Sequence, residues 1–239
     1  MASMKITPKG CMFDFSGTLL RIEPAESWLL SVLDEAGITL PDDELASYAE
    51  KLSRTGGQPG GAPPEVVPAG LEPLWRERDL SAEHHRAAYT GLARLAELPW
   101  EELYDALYDR HMTPAAWAPY PDTAKVLEGL RERGIRVAVV SNIGWDLRPV
   151  FRKHGLDAYV DAFVLSYEHG IQKPDPRLFR IACDALGLEP EAVAMVGDDR
   201  RADGGAAVLG CPVHFVEHLP VELRPEGLLP VLGTFGRAG

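Results

Sequence analysis

Between Pro121 and Val216 apolar runs and amphipathic stretches alternate, and this alternation restricts the fold more than any other feature of the chain. Asp122–Arg133 has helical spacing and stops at Gly134, and Ile135–Val140 is an apolar run closing on Ser141 and Asn142. Trp145–His154 reads as a helix ended by Gly155, followed by the apolar run Ala162–Leu165. Pro176–Leu186 is a helix stopped at Gly187, and Ala192–Val196 a strand that closes on Gly197, Asp198 and Asp199. Arg201–Leu209 is then a helix and Val213–Val216 a final strand. Strands and helices at this spacing predict βαβ units and a parallel sheet. Near the start, Cys11–Phe13 is a further buried strand that delivers Asp14, and Gly17 supplies the tight turn after it. The expected class is α/β, with a doubly wound, Rossmann-like parallel sheet.

Residues 21–117 lack this alternation. Trp28, Leu29, Val32, Leu33 and Ala36 recur at helical spacing, and a second helix opens at Pro41 and runs through Leu45 and Tyr48 to Leu52. Arg54–Gly70 is so rich in glycine and proline that neither helix nor strand persists, so it reads as a long mobile loop suited to a lid. Helical spacing returns over Leu71–Arg78, Ala82–Leu95 and Trp100–His111. The reading is an all-helical insertion without strands, a cap of residues 21–117 on a core formed by residues 1–20 and 118–239. His84 and His85 read as surface residues of this insertion, and Trp28, Trp75 and Trp100 as packing.

The net charge of −12 argues against a broad basic surface for nucleic acid or an anionic membrane, though it leaves room for a local basic pocket. Three scattered cysteines suit neither a disulfide framework nor a zinc site and read as buried thiols of a reducing compartment. Apolar stretches fall well short of the ~20 residues of a membrane span, and no signal-peptide apolar region opens the chain. The expected location is cytoplasmic, as a monomer or homodimer.

Each predicted strand ends in a polar group: Asp14, then Ser141 and Asn142, then Asp198 and Asp199. In an open α/β sheet that rim is where ligands sit. Carboxylates gathered there repel one another and raise each other's pKa unless a cation offsets them. A hard cation such as Mg²⁺, with oxygen ligands, removes that conflict. Lys173, within Gln172-Lys173-Pro174-Asp175-Pro176, adds a positive charge able to hold an anionic substrate against a nucleophile.

These segments, taken in order, resemble the four motifs of the haloacid dehalogenase superfamily of hydrolases, with a helical cap inserted after the first. The motifs are Asp14-Phe15-Ser16-Gly17-Thr18, Ser141 after Val139-Val140, Lys173, and Gly197-Asp198 through Asp203. The resemblance implies that Asp14 is a nucleophile accepting a phosphoryl group, and that Ser141 and Lys173 hold phosphoryl oxygens. It also implies Mg²⁺ bound by Asp14, Asp198 and the carbonyl of Ser16, with Asp199 or Asp203 completing the shell. Asn142 either positions substrate or turns the chain.

The resemblance departs at Ser16, where the family usually carries a second aspartate that protonates the leaving oxygen. A serine hydroxyl has no useful acidity near neutral pH, so a factor of about 10²–10⁴ in rate must come from elsewhere. The leading expectation is a Mg²⁺-dependent hydrolase of a small phosphorylated metabolite with weakened acid catalysis. The alternatives are C–P or C–halogen hydrolysis, the former needing a Schiff-base lysine for which Lys51 is the cap candidate, or a degenerate protein that binds a phosphorylated ligand or a partner.

Overall fold

A computed structural model describes residues 7–235. Five parallel strands form the central sheet in the order β5-β4-β1-β6-β7, built from β1 (Gly10–Phe13), β4 (Arg136–Ser141), β5 (Ala162–Leu165), β6 (Val193–Gly197) and β7 (Val213–Phe215). Alternate residues of a strand face opposite sides of the sheet, and two apolar layers follow from that rule. Cys11, Phe13, Val137 and Val139 join Val126, Leu127, Val150 and Phe151 on one face. Met12, Ala138 and Val140 join Leu178, Phe179 and Ala182 on the other. Helices α6 (Thr123–Glu132) and α7 (Arg148–Lys153) therefore cover one face and α9 (Pro176–Leu186) the other, as a doubly wound sheet requires.

The intervening residues build a second apolar cluster. Helices α1 (Ala25–Glu35), α2 (Asp42–Thr55), α4 (Ala82–Arg94) and α5 (Leu103–His111) pack around Trp28, Leu33, Leu52 and Leu107, which share no cluster with the sheet. Trp28 is fully buried, and its indole N–H donates to the carbonyl of Leu107 at 3.0 Å, joining α1 to α5. The short helix α3 (Glu72–Arg76) runs into a 3₁₀ turn, Arg78–Leu80, and Ser81 then caps α4 by accepting the His84 amide at 3.1 Å.

Two expectations change. The stretch expected to hold no strands is bracketed by a short antiparallel ribbon of β2 (Leu20–Ile22) and β3 (Trp117–Pro119). These three-residue segments are held by burial of Ile22 and Trp117 rather than by a periodicity long enough to read. The helix expected at Arg201–Leu209 is a 3₁₀ segment starting at Asp203, whose successive glycines Gly204 and Gly205 weaken a regular α-helix. Among the described residues no helix is long and apolar enough to cross a membrane.

Candidate active site

Parallel pairing puts β1, β4 and β6 in register, so their carboxyl ends deliver Asp14, Ser141 and Asp198 to one crevice. The Asp14 amide extends the ladder by donating to the Val196 carbonyl at 2.9 Å. Lys173 enters from the loop between α8 (Ser166–His169) and α9, and its ammonium donates to Asp14 Oδ1 at 2.7 Å and Asp203 Oδ1 at 2.6 Å. Only 4% of Lys173 is exposed, so both ion pairs are buried. Asn142 holds that loop in place: its Oδ1 accepts the Lys173 amide at 2.7 Å and its Nδ2 donates to the Lys173 carbonyl at 3.0 Å.

The acidic residues separate into two roles. One carboxylate oxygen from each of Asp14, Asp198 and Asp203 lies within 4.8 Å of the others. Asp199 is not in that group; its Oδ1 accepts the amides of Arg201 and Ala202 at 2.7 and 2.9 Å and shapes the turn, while its own amide donates to Asp203 Oδ2 at 3.0 Å. Asp199 thus supports Asp203 through its backbone. Gly197 has no room for a side chain, because a Cβ there would overlap the Asp203 carboxylate.

Burial pushes Asp14 well above the usual carboxylate range, and Asp203 and Asp198 push it further against the pull of Lys173. Burial also raises Asp203 despite its bond to Lys173. Burial works to lower Lys173, but its two carboxylate partners outweigh it and keep the ammonium charged. Burial would raise Asp198 too, yet contact with His218 holds it below its usual value. One buried ammonium thus faces three carboxylates, and oxygen donors in this charge imbalance fit a hard cation.

Several residues here escape motif reading. His218, beyond β7, meets Asp198 Oδ2 through Nδ1 and Arg21 through Nε2. Arg224, 4% exposed, donates to the carbonyls of Gly17 and Thr18 and lies over the Tyr120 ring, stapling the turn that follows Asp14. Gly17 has φ +81°, and a Cβ there would overlap His218 and Asp198. The Pro- and Gly-rich tail containing Arg224 offers no pattern from which this staple could be read.

The roof also holds surprises. The loop at 58–63 closes a cavity of about 300 Å³ over Asp14, Ser16, Ser141 and Lys173. Gly60, at φ +77°, sits so near Ser16 that a Cβ on it would lie 3.0 Å from the Ser16 hydroxyl. From the helical layer Trp75, Arg78, Asp79, His85 and Tyr89 complete the wall. His85 is therefore no surface residue: it is 2% exposed, bonds Tyr108 Oη through Nδ1 at 2.7 Å, and burial depresses its pKa. Its neighbour His84 gave the pair the look of an exposed helix face. Lys51 lines a separate hollow with Arg54 and Glu65 and lies over the Tyr48 ring, away from Asp14.

Residues 8–208 match the model of the haloacid dehalogenase-like hydrolase family. The chain is 31% identical to (S)-2-haloacid dehalogenase 4A of Burkholderia cepacia over 216 residues, spanning 84% of this chain and 80% of the relative. It is also 31% identical to glyceraldehyde 3-phosphate phosphatase of Methanopyrus kandleri over 183 residues, or 69% and 78% of the two chains. A solved dehalogenase with an intermediate complex superposes with a TM-score of 0.64 at 25% identity, covering 90% of this chain and 87% of the other. Strand topology, the placement of Asp14, Lys173 and Asp198, and these likenesses agree: the chain belongs to the haloacid dehalogenase-like hydrolases.

Proposed function

We propose that the protein is a Mg²⁺-dependent phosphohydrolase of a small phosphorylated molecule, with Asp14 as nucleophile. The observation that carries this reading is the cluster of Asp14, Asp198 and Asp203 around one ammonium, whose surplus negative charge suits a divalent cation. Those three carboxylates, with the Ser16 carbonyl, would hold the ion. Bound there, Mg²⁺ supplies positive charge to the phosphoryl oxygens.

The residues of the chain do the rest. Lys173 fixes one Asp14 oxygen and leaves the other without a hydrogen-bond partner among the described residues, free to attack phosphorus. Ser141, 2% exposed at the end of β4, and the Lys173 ammonium bind phosphoryl oxygens beside it. Asn142 acts by holding the Lys173 backbone. The roof of residues 58–63 keeps bulk water from the aspartyl phosphate. The helical layer of residues 21–117 is the cap, and its wall selects the substrate.

The test is hydrolysis of p-nitrophenyl phosphate by purified protein with Mg²⁺. Turnover that disappears with EDTA and in Asp14→Asn is the expected result; turnover unaffected by either overturns the assignment. A second reading, metal-independent hydrolysis of a 2-haloacid, is favoured by the likeness to the Burkholderia cepacia dehalogenase along most of both chains. Chloride release from (S)-2-chloropropionate in the presence of EDTA would establish it.

A further inference from the structure

The cap wall contains a carboxylate that the reading above leaves unused. Asp79, in the 3₁₀ turn after α3, is 3% exposed and lines the same cavity as Asp14, Ser16 and Lys173. Its oxygens accept no hydrogen bond among the described residues; the nearest cation, Arg78 Nη2, is 3.5 Å from Oδ2, and His85 Nε2 is 3.9 Å from Oδ1. A buried carboxylate left so poorly satisfied costs stability, and such groups persist where they have work to do.

Its surroundings fix it in place. Arg78 donates to the Trp75 carbonyl at 2.8 Å, stacks on the Trp75 ring at 3.9 Å, and keeps its buried Nε unpartnered. Gln172, beside Lys173, donates to the Arg76 carbonyl at 2.8 Å, which ties this part of the cap to the catalytic loop. Asp79 is therefore carried by a segment docked on the core.

We infer that Asp79 is the proton donor to the leaving oxygen, taking from the cap wall the task that Ser16 cannot perform. This rests on the phosphohydrolase reading and names a further catalytic residue for it. Asp14 attacks phosphorus, the bond from phosphorus to the ester oxygen breaks, and that oxygen takes the proton of Asp79. The Asp79 carboxylate then accepts a proton from water as the water oxygen attacks phosphorus and the bond to Asp14 breaks. The net change is ester plus water to alcohol plus phosphate, with Asp79 again protonated.

The electrostatics agree with both halves of the cycle. Burial raises Asp79 above the usual carboxylate range, favouring the acid form, while Arg78 and Lys173 lie close enough to steady the anion. Tyr89 and His85 also face it; burial raises the tyrosine and depresses the histidine, so both stay neutral.

The test compares wild type and Asp79→Asn with Mg²⁺ on p-nitrophenyl phosphate, phenyl phosphate and glycerol 2-phosphate, leaving groups of rising basicity. The expected loss in kcat/KM is smallest for p-nitrophenyl phosphate and grows to about 10²–10⁴-fold for glycerol 2-phosphate. The ratio between substrates is internal to the folded fraction, so partial misfolding cannot imitate it. An equal loss on all three overturns Asp79 as donor and leaves the phosphohydrolase reading standing. A wild type inactive on all three overturns both.

Discussion

The two walls of the cavity bury carboxylates in opposite ways. On the sheet side, Asp14 and Asp203 share the Lys173 ammonium at 2.7 and 2.6 Å, and Asp203 receives the Asp199 amide as well. On the cap side, Asp79 is equally enclosed, yet its closest cation is 3.5 Å away and no hydrogen bond reaches it among the described residues. A charge with close partners holds its own position and costs much to disturb. A poorly partnered one is held by its neighbours and remains available to a ligand. The sheet wall is thus the fixed half of the site and the cap wall the receptive half.

The difference can be broken most severely at Asp14. Asp14→Asn removes the proposed nucleophile, and p-nitrophenyl phosphate turnover should fall about 10⁴-fold or more, read as initial rates at saturating Mg²⁺. Next is Lys173→Met, which leaves two buried carboxylates facing each other. Urea unfolding should show a loss of about 3–5 kcal/mol, the usual cost of removing one member of a buried ion pair.

A pH titration of stability probes the seam between the walls. His111 is fully buried there beside Trp145 and His85, and burial lowers its pKa from 6.5 to about 3. Its folded pKa lies below the unfolded one, so the unfolded chain takes up the proton first as pH falls. The stabilisation is full above pH 6.5 and drains away toward pH about 3, with a slope of at most about 1.4 kcal/mol per pH unit. Subtracting the pH profile of His111→Phe from that of the wild type should recover this slope; parallel profiles would contradict it. The smallest effect is the most pointed. Asp79→Asn should change unfolding free energy by less than about 1 kcal/mol, because no hydrogen bond is lost and a neutral amide replaces a neutral acid of the same shape. A loss as large as that of Lys173→Met would show that the cap carboxylate is structural.

Sequence patterns reveal the sheet wall far better than the cap wall. Asp14, Ser141 and Asp198 each follow an apolar run, and strand register alone brings them together. Asp79 follows no run: it occupies a three-residue turn whose burial depends on how α3 and α4 pack, which is tertiary information. His85 looked solvent-facing beside His84 because one helical turn shows only which faces differ, not which is covered. Of the two acids weighed for the metal shell, Asp203 stands in the cluster while Asp199 bonds the turn, a distinction made by a few bond rotations. Ser16 was legible as a departure, but its neighbour in the roof was not. The loop carrying Gly60 rests close to it, so that a Cβ on Gly60 would lie 3.0 Å from the Ser16 hydroxyl, a contact made by chain packing.

The Arg224 staple has a temporal meaning. Besides its own backbone hydrogen bonds, the turn beside Asp14 takes further ones from a side chain up to 207 positions further along the chain. During synthesis Asp14 is made long before Arg224, and the bonds from that arginine form only after β7 and the residues beyond it have been made. The growing chain can therefore assemble the sheet and the helical layer before this staple closes, and the turn beside Asp14 is completed only once Arg224 has been made.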